Sequence, residues 1–352
     1  MMKKIVVTGG CGFIGSHTIV DLLENGYEVI SIDDNSRSSA SIALDGIEKI
    51  TNKRIKNYEI DLKNFDDTRA VFQENKDIAG IIHFAAYKAV GESVAEPLNY
   101  YENNLFSLIN LLKCVDEFKI PHFVFSSSCT VYGNPDHIPV TEQSPIKEAE
   151  SPYGATKQMG ERMLQDFSKV QNCTSILLRY FNPVGAHPSN HLGELPIGRP
   201  MNLVPAITQT AIGKLPNMQV YGTDYDTRDG SCVRDYIHVC DIAHAHTLAI
   251  AYLLQQKNTT NCDIFNLGTG NGVTVLEAIH MFEKVSGVKL NYEIGGRRPG
   301  DVVAIYANNE LAVQKLGWKI VCDLQEMMRT AWAWEQKLHK EAAMLKEHSV
   351  MN

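Results

Sequence analysis

An α/β fold built on a doubly wound parallel sheet follows from three observations in the 352-residue chain. A strand, a glycine loop and a helix succeed one another over residues 3–23, a second strand ends in an acid at Asp33, and short Ile/Val-rich runs alternate with helical stretches as far as residue 180. Parallel neighbours need crossover helices, so the alternation predicts a Rossmann-type sheet over residues 1–180, to which the segment around 235–267 returns. A smaller mixed α/β domain is expected over 181–352.

The first strand, Lys3 to Thr8, runs into Gly9-Gly10-Cys11-Gly12-Phe13-Ile14-Gly15 and then the periodic run Thr18 to Leu23. Glycines at 9, 12 and 15 permit a tight turn and close approach of the backbone to a pyrophosphate, and the helix start offers N–H groups to the anion. Without a ligand this would be only a glycine turn, but Tyr27 to Ile32 supplies the second strand and Asp33 stands 18 residues after Gly15. An acid there accepts hydrogen bonds from ribose hydroxyls and repels a 2′-phosphate, which favours NAD over NADP, although Arg37 lies close by. A third strand, Ile55 to Ile60, leads to Asp61-Leu62, where Asp61 either reaches an adenine or caps the next stretch of chain. The fourth, Gly80 to Phe84, leads to Ala85-Ala86-Tyr87-Lys88, small residues followed by a positive charge.

Pro97 to Phe118 reads as a long helix with more than one apolar stripe, including Leu98, Tyr101, Leu105, Phe106 and Leu108. A helix lying outside a sheet needs one such face, so the excess predicts a second partner. A homodimer built from this helix and the apolar row Met159, Met163, Leu164 and Phe167 is expected; the alternative is that one chain covers both faces. The fifth strand, His122 to Phe125, empties into Ser126-Ser127-Ser128-Cys129-Thr130, hydroxyls that either bond a substrate oxygen or serve as turn residues.

Ser151-Pro152-Tyr153-Gly154-Ala155-Thr156-Lys157 starts a helix with proline in its first turn, which puts Tyr153 and Lys157 on one face. A tyrosine needs a positive neighbour to accept a proton near neutral pH, and Lys157 is placed to be one. Beyond the strand Ser175 to Leu178, Phe265 to Gly268 reads as a returning strand and Thr274 to Val285 as an amphipathic helix. A short strand over Leu290 to Ile294 and a helix from Asp323 to about Lys346 complete the chain. With Asp241 capping the helix after it, His244 and His246 face opposite ways, so no metal site is expected.

The formal net charge of −8 without a basic run argues against nucleic acid as partner. No segment has the apolar length of a membrane span, and the start lacks a signal peptide's apolar region. Eight cysteines without C-x-x-C spacing read as reduced thiols in a cytoplasm.

Several longer motifs occur together: Thr8-Gly9-Gly10-x-Gly12-Phe13-Ile14-Gly15-Ser16-His17, His83-Phe84-Ala85-Ala86-x-Lys88-Ala89-Val90-Gly91-Glu92-Ser93 and Ser126-Ser127-Ser128-x-Thr130-Val131-Tyr132-Gly133. To these the chain adds Ser151-Pro152-Tyr153-Gly154-x-x-Lys157, Leu178-Arg179-Tyr180-Phe181-Asn182-Pro183-Val184-Gly185-Ala186, Val233-Arg234-Asp235-Tyr236-Ile237-His238-Val239 and Arg297-Arg298-x-Gly300-Asp301. In this combination the sequence resembles an extended short-chain dehydrogenase/reductase, and within that superfamily the UDP-glucose 4-epimerase family, from Lys3 to about Trp334.

The resemblance implies reversible C4 epimerisation of UDP-galactose and UDP-glucose through a 4-keto sugar, with tightly held NAD reduced and re-oxidised within one turnover. By it, Tyr153 as phenolate takes the 4-hydroxyl proton, Ser128 bonds the same oxygen, and Lys157 holds the cofactor ribose and lowers the tyrosine pKa. Gly9, Gly12, Phe13, Ile14, Gly15, Asp33, Asp61 and Leu62 would contact the cofactor, as would Phe84, Ala85, Ala86, Lys88, Asn103, Tyr153, Lys157 and Tyr180. The C-terminal part would bind the nucleotide sugar: Asn182, Asn202 and Leu203 along it, Tyr221 by the uracil, Arg234 and Arg298 on the diphosphate, and Asp301 on the uridine ribose. Related 4,6-dehydratases carry Asp-Glu after the threonine that here, as Thr130, precedes Val131-Tyr132, so epimerisation is preferred. Other NAD-dependent nucleotide-sugar enzymes, and a non-catalytic dinucleotide-sensing protein, are the alternatives; retention of Ser128, Tyr153 and Lys157 speaks against the second. Ile305 stands where the family varies the side chain bounding the sugar pocket, and its intermediate size leaves UDP-N-acetylhexosamines open as substrates. Cys129 replaces an alanine common at its position.

Overall fold

The computed structural model describes residues 2–198, 200–298 and 302–350. Alternating elements open the chain: β1 (Lys4–Thr8), α1 (Phe13–Glu24), β2 (Glu28–Ile32), α2 (Ala40–Thr51), β3 (Lys56–Tyr58), α3 (Phe65–Glu74) and β4 (Ile78–His83). Then come α4 (Val90–Ala95), α5 (Pro97–Phe118), β5 (His122–Ser128), α6 (Pro152–Val170) and β6 (Thr174–Tyr180). The remainder comprises β7 (Asn182–Val184), α7 (Leu203–Ala211), β8 (Met218–Tyr221), β9 (Val233–Arg234), β10 (Tyr236–His238), α8 (Val239–Leu254) and β11 (Cys262–Leu267). It ends with β12 (Val273–Thr274), α9 (Val275–Ser286), β13 (Tyr292–Gly295), β14 (Ala304–Ile305), α10 (Glu310–Leu316) and α11 (Leu324–Val350).

Seven strands form one sheet in the order β11-β6-β5-β4-β1-β2-β3, parallel throughout. The order reverses at β1: the chain proceeds to β2 and β3 on one side and to β4, β5 and β6 on the other. In such a sheet a crevice opens beyond the carboxyl ends of the strands at the reversal, and the glycine loop, Phe84 and Ser128 all lie at strand ends there. One face of the sheet packs Ile5, Val7, Ile82 and Val124 against α1 and α8 through Ile19, Leu22, Ile242 and Ile250. The other packs Val6, Ile81, Phe123 and Phe125 against α5 and α6 through Leu108, Leu111 and Leu164. Burial on both faces explains why these strands read as continuous apolar runs rather than alternating ones.

The segment from α8 to β11 rejoins this sheet, with Cys262 opposite Ser175 and Leu267 opposite Tyr180. β10 does not: it pairs with β7 in a separate two-stranded sheet. A second core gathers Val204, Ile207, Val220, Ile279, Phe282 and Met328 from α7, β8, α9 and α11.

Some boundaries differ from expectation. β5 continues to Ser128 because Ser126, Ser127 and Ser128 pair in register with Leu178, Arg179 and Tyr180. β13 lies at Tyr292–Gly295 and pairs with β8, a strand whose four residues carry no pattern strong enough to announce it. Asp241 does not cap α8; the His238 imidazole does, accepting the Cys240 N–H at 3.1 Å. Asp241, within the first turn of the helix, accepts the N–H groups of Val321 and Cys322 at 3.2 and 3.1 Å. His244 meets Asp21 at 3.2 Å, while buried His246 bonds the Ile242 carbonyl at 2.9 Å.

α5 turns Tyr100, Leu108, Leu111 and Leu112 inward and leaves Leu98 and Phe106 78% and 52% exposed. α6 sits unusually close to β5, since a Cβ at Gly160 would lie 2.7 Å from the Phe125 ring. A glycine inside a helix costs about 1 kcal/mol against alanine; here it permits the approach that sets Tyr153 and Lys157 over the end of β5.

Candidate active site

The glycine loop folds back on itself under steric compulsion. Gly9 has φ +69°, and a Cβ there would lie 2.7 Å from the Ala85 nitrogen; one at Gly15 would lie 2.1 Å from the Gly9 carbonyl oxygen. Gly12 caps α1 without a side-chain bond, so the first-turn N–H groups at Phe13, Ile14 and Gly15 have no side-chain capping acceptor. Asp33 ties this loop to the end of β2: its Oδ2 accepts the Cys11 N–H at 2.9 Å, and its Oδ1 accepts Asn35 N–H at 2.9 Å and the Ser38 hydroxyl at 2.8 Å. Burial raises its pKa and these three bonds oppose the rise. Arg37 is turned to Glu92, at 2.5 Å, and lies 4.6 Å over the Tyr87 ring.

Asp61 lies three residues beyond the end of β3 and accepts the Lys63 N–H at 2.9 Å, so its side chain caps the turn. Leu62 is buried. Phe84, in the loop after β4 with Ala85 and Ala86, lies with its ring 4.5 Å from that of His246 and tilted to it, and His246 is 5.7 Å from the Tyr180 ring. Asn103 donates to its neighbour Asn104 at 3.1 Å. Asn104 was not singled out by sequence; it accepts the Tyr87 N–H at 2.8 Å and donates to Thr156 of α6 at 3.0 Å, joining the β4 loop to the tyrosine helix.

α6 begins as expected, with Ser151 accepting the Gly154 N–H at 3.1 Å and Pro152 in the first turn. Tyr153 and Lys157 share a face, and the nearby Ser128 hydroxyl at the end of β5 works to hold the phenol pKa down. Lys157 makes its hydrogen bond to the strand below rather than to the phenol. Its Nζ donates to the Ser126 carbonyl at 2.7 Å and stands 5.8 Å from the Tyr153 ring centroid. Burial pushes the phenol up to about 12, with the Ser128 hydroxyl acting the other way. Burial also brings Lys157 down to about 8, against which the Glu161 carboxylate works. Burial thus favours the neutral phenol, and positive charge in the crevice favours the phenolate. Tyr180 closes the floor with its hydroxyl bonded to that of Ser126, and burial raises its pKa well above the usual value.

On the other wall, β9 and β14 run side by side, with Arg234 opposite Ile305. Arg234 Nη1 donates to the Val233 and Val302 carbonyls at 2.9 and 2.6 Å. Ile305, 5% exposed, packs with Val131, Tyr132 and Phe181, and Cys129 lies against them. Asn182 opens β7, its N–H bonded to the Asp235 carbonyl at 3.0 Å. Tyr221 ends β8, 40% exposed, with the Arg298 guanidinium 5.5 Å over its ring. Leu203 begins α7 after Asn202. Asp301 lies outside the described residues. Glu194, unforeseen from the sequence, accepts from both Lys88 at 3.2 Å and Asn202 at 2.9 Å, so one carboxylate joins residues expected on opposite sides of the crevice. Among the described residues no cluster of His, Cys, Asp or Glu could hold a metal ion.

Comparison with known proteins agrees with this geometry. The family profile described as GDP-mannose 4,6 dehydratase matches residues 6–331. The UDP-glucose 4-epimerase of Bacillus subtilis is 48% identical over 332 residues, 94% of this chain and 96% of that protein. The crystal structure of UDP-glucose 4-epimerase from Bifidobacterium longum, in complex with NAD+ and UDP, superposes with a TM-score of 0.91 at 45% identity, covering 95% of this chain and 98% of that one. That from Stenotrophomonas maltophila, with NAD and formylated UDP-arabinopyranose, gives 0.92 at 43% identity over 97% and 100%. The dehydratase profile takes in the wider group, whereas identity near one half over almost the whole length is to epimerases. The chain belongs to the UDP-glucose 4-epimerase family of the extended short-chain dehydrogenase/reductases.

Proposed function

We propose that this protein interconverts UDP-galactose and UDP-glucose at C4 through a 4-keto sugar, with NAD as a resident cofactor. The observation that carries the reading is the meeting of Ser128, Tyr153 and Lys157 at the carboxyl end of β5, beside the glycine loop. NAD fits the crevice: a Cβ-intolerant loop with a bare helix start suits a pyrophosphate, and the Asp33 carboxylate at the end of β2 suits ribose hydroxyls. Gly9, Gly12, Phe13, Ile14, Gly15 and Asp33 would hold its adenosine and diphosphate part, with Asp61 and Leu62 beside the base. Phe84, Ala85, Ala86, Lys88, Asn103, Lys157 and Tyr180 would border the rest. Bound there, NAD supplies a hydride acceptor and donor for C4 and, when oxidised, a positive charge.

The protein's own groups do the remainder. Ser128 holds the 4-oxygen by a hydrogen bond, and Tyr153 takes its proton and later returns it. The Lys157 ammonium, and the charge of the oxidised cofactor, favour the phenolate that isolated burial disfavours. Arg234 and Arg298 grip the diphosphate, Tyr221 the uracil, Asn182, Asn202 and Leu203 the remaining nucleotide-sugar atoms, and Asp301 the ribose. Firm hold on the nucleotide leaves the hexose free to turn, so either face of C4 can be presented. Residues 1–180 with 235–267 then act as the cofactor-binding domain and 181–352 as the sugar-nucleotide domain. Tyr132 comes after Val131 where a dehydratase would need its second acid–base pair, and it is buried at 0% exposure, which supports epimerisation. Purified protein given UDP-galactose and no added nicotinamide should form UDP-glucose; protein that contains NAD yet forms none would overturn the assignment.

The exposed Leu98, Phe106 and Met159 support a homodimer through α5 and α6. Phe106→Glu should turn a dimeric mass by light scattering into a monomeric one; a monomeric wild type at micromolar concentration contradicts the interface. The eight free thiols suit a reducing cytoplasm.

A further inference from the structure

Arg179 and Glu161 form an ion pair in which both side chains are 2% exposed. Taking two charges out of water is costly, and an apolar pair of the same volume commonly holds a fold as well or better. Stability alone therefore does not account for it, but its neighbours do. Glu161 lies one turn beyond Lys157 on the face of α6 that also carries Tyr153. Its Oε1 accepts Arg179 Nε at 2.8 Å and the Ser127 hydroxyl at 2.5 Å, and its Oε2 accepts Arg179 Nη2 at 2.6 Å. Arg179 Nη1 donates to the Tyr132 hydroxyl at 3.0 Å, and that hydroxyl donates to Asn266 at 2.6 Å.

Ser127 is the pivot. It stands opposite Arg179 in the β5–β6 register, as Ser128 stands opposite Tyr180. The residue before it gives its carbonyl to Lys157, and the residue after it carries the hydroxyl that acts on the Tyr153 phenol. A side chain that fixes Ser127 to α6 therefore fixes both reacting contacts at once.

The charge matters as well as the grip. Lys157 is faced from β4 by His83, which burial keeps neutral with a pKa of about 3. From β5 it meets the Ser126 carbonyl and, at 5.0 Å, the Phe125 ring. Tyr180, uncharged, and Arg179 stand on β6, and α6 itself contributes Tyr153 and Glu161. Among these described groups Glu161 is the carboxylate, and it alone opposes the burial that discharges the lysine.

We propose that Glu161 and Arg179 are positioning residues for the proton transfer: the pair pegs Ser127, and with it Ser126 and Ser128, against α6, and sets a carboxylate one helical turn from the Lys157 ammonium. This rests on the reading that Ser128, Tyr153 and Lys157 carry the reaction. The test uses full-length, NAD-loaded protein and UDP-galactose. Glu161→Gln, which keeps the shape and removes the charge, should lower kcat about tenfold, leave KM within about twofold, and move the alkaline limb of the kcat–pH profile down by about one pH unit. Removing a negative neighbour lowers a lysine pKa, hence the direction. Ser127→Ala leaves the ion pair intact and so tests the peg even if the Gln variant does not fold; kcat should fall about threefold or more with the limb unmoved. Wild-type kcat in Ser127→Ala, or a wild-type limb in Glu161→Gln, overturns the proposal. Titration of ¹³Cε-lysine resonances, with Lys157→Met assigning the signal, reads the ammonium without any turnover. A midpoint about one unit lower in Glu161→Gln supports the electrostatic part even if the assigned reaction fails, and an unchanged midpoint removes it.

Discussion

Tyr153→Phe should lower kcat by about a thousandfold, the size of a lost general acid–base group, while UDP still binds with wild-type affinity. Phenylalanine keeps the ring and loses only the hydroxyl. Arg234, on β9, and Arg298, over Tyr221, are untouched by the change. Single-turnover conversion of UDP-galactose, with UDP binding measured by calorimetry, separates the two quantities. A variant with more than about a tenth of wild-type turnover would show that the proton leaves by another route. A variant that has lost UDP binding as well would place Tyr153 in nucleotide recognition instead.

The second large effect is expected at the opposite end of the crevice. Gly15→Ala puts a methyl group 2.1 Å from the Gly9 carbonyl oxygen and 2.9 Å from the Gly10 Cα. Both obstacles are backbone atoms, so no rotamer change relieves the clash and the loop must open. The purified variant should carry less than about a tenth of the NAD of the wild type and be inactive in proportion, because the loop presents its N–H groups to the anion only when closed. Its circular dichroism should remain that of an α/β protein, since the loop lies outside the strands. Full NAD content, read from the absorbance of the acid-released cofactor, would show that the loop does not hold the pyrophosphate.

The parts of this site that could be read from the sequence are those in which chemistry depends on local spacing. Tyr153 and Lys157 are four residues apart behind a Ser-Pro helix start; Gly9, Gly12 and Gly15 crowd one turn; Asp33 ends a strand. Each is visible because neighbours in the chain are neighbours in space. The hidden parts depend on partners far apart in sequence. Arg179 reads as the residue just past the strand Ser175 to Leu178 until β5–β6 pairing puts it beside Ser127 and α6 brings Glu161 down on both. Glu194 joins Lys88 across 106 residues. The bond from Lys157 to the Ser126 carbonyl was hidden too, because it needs a strand that runs three residues further than its apolar stretch. Capping went astray at α8 for a related reason: Asp241 is a good cap by type, yet the loop before α11 needs its carboxylate for two backbone N–H groups. The excess apolar stripe of α5, by contrast, was legible in full, because Leu98 and Phe106 stay exposed in the folded chain.

The central claim is that C4 keeps its own hydrogen while only the 4-hydroxyl proton passes through Tyr153. Conversion of UDP-galactose in deuterium oxide tests it most directly, with the product UDP-glucose examined by NMR at C4. The account predicts no deuterium at that carbon after many turnovers, because the hydride leaves and returns inside a closed site. Deuterium at C4 would mean that inversion proceeds by proton loss from carbon, and would contradict the roles assigned to Tyr153, Ser128 and the cofactor together.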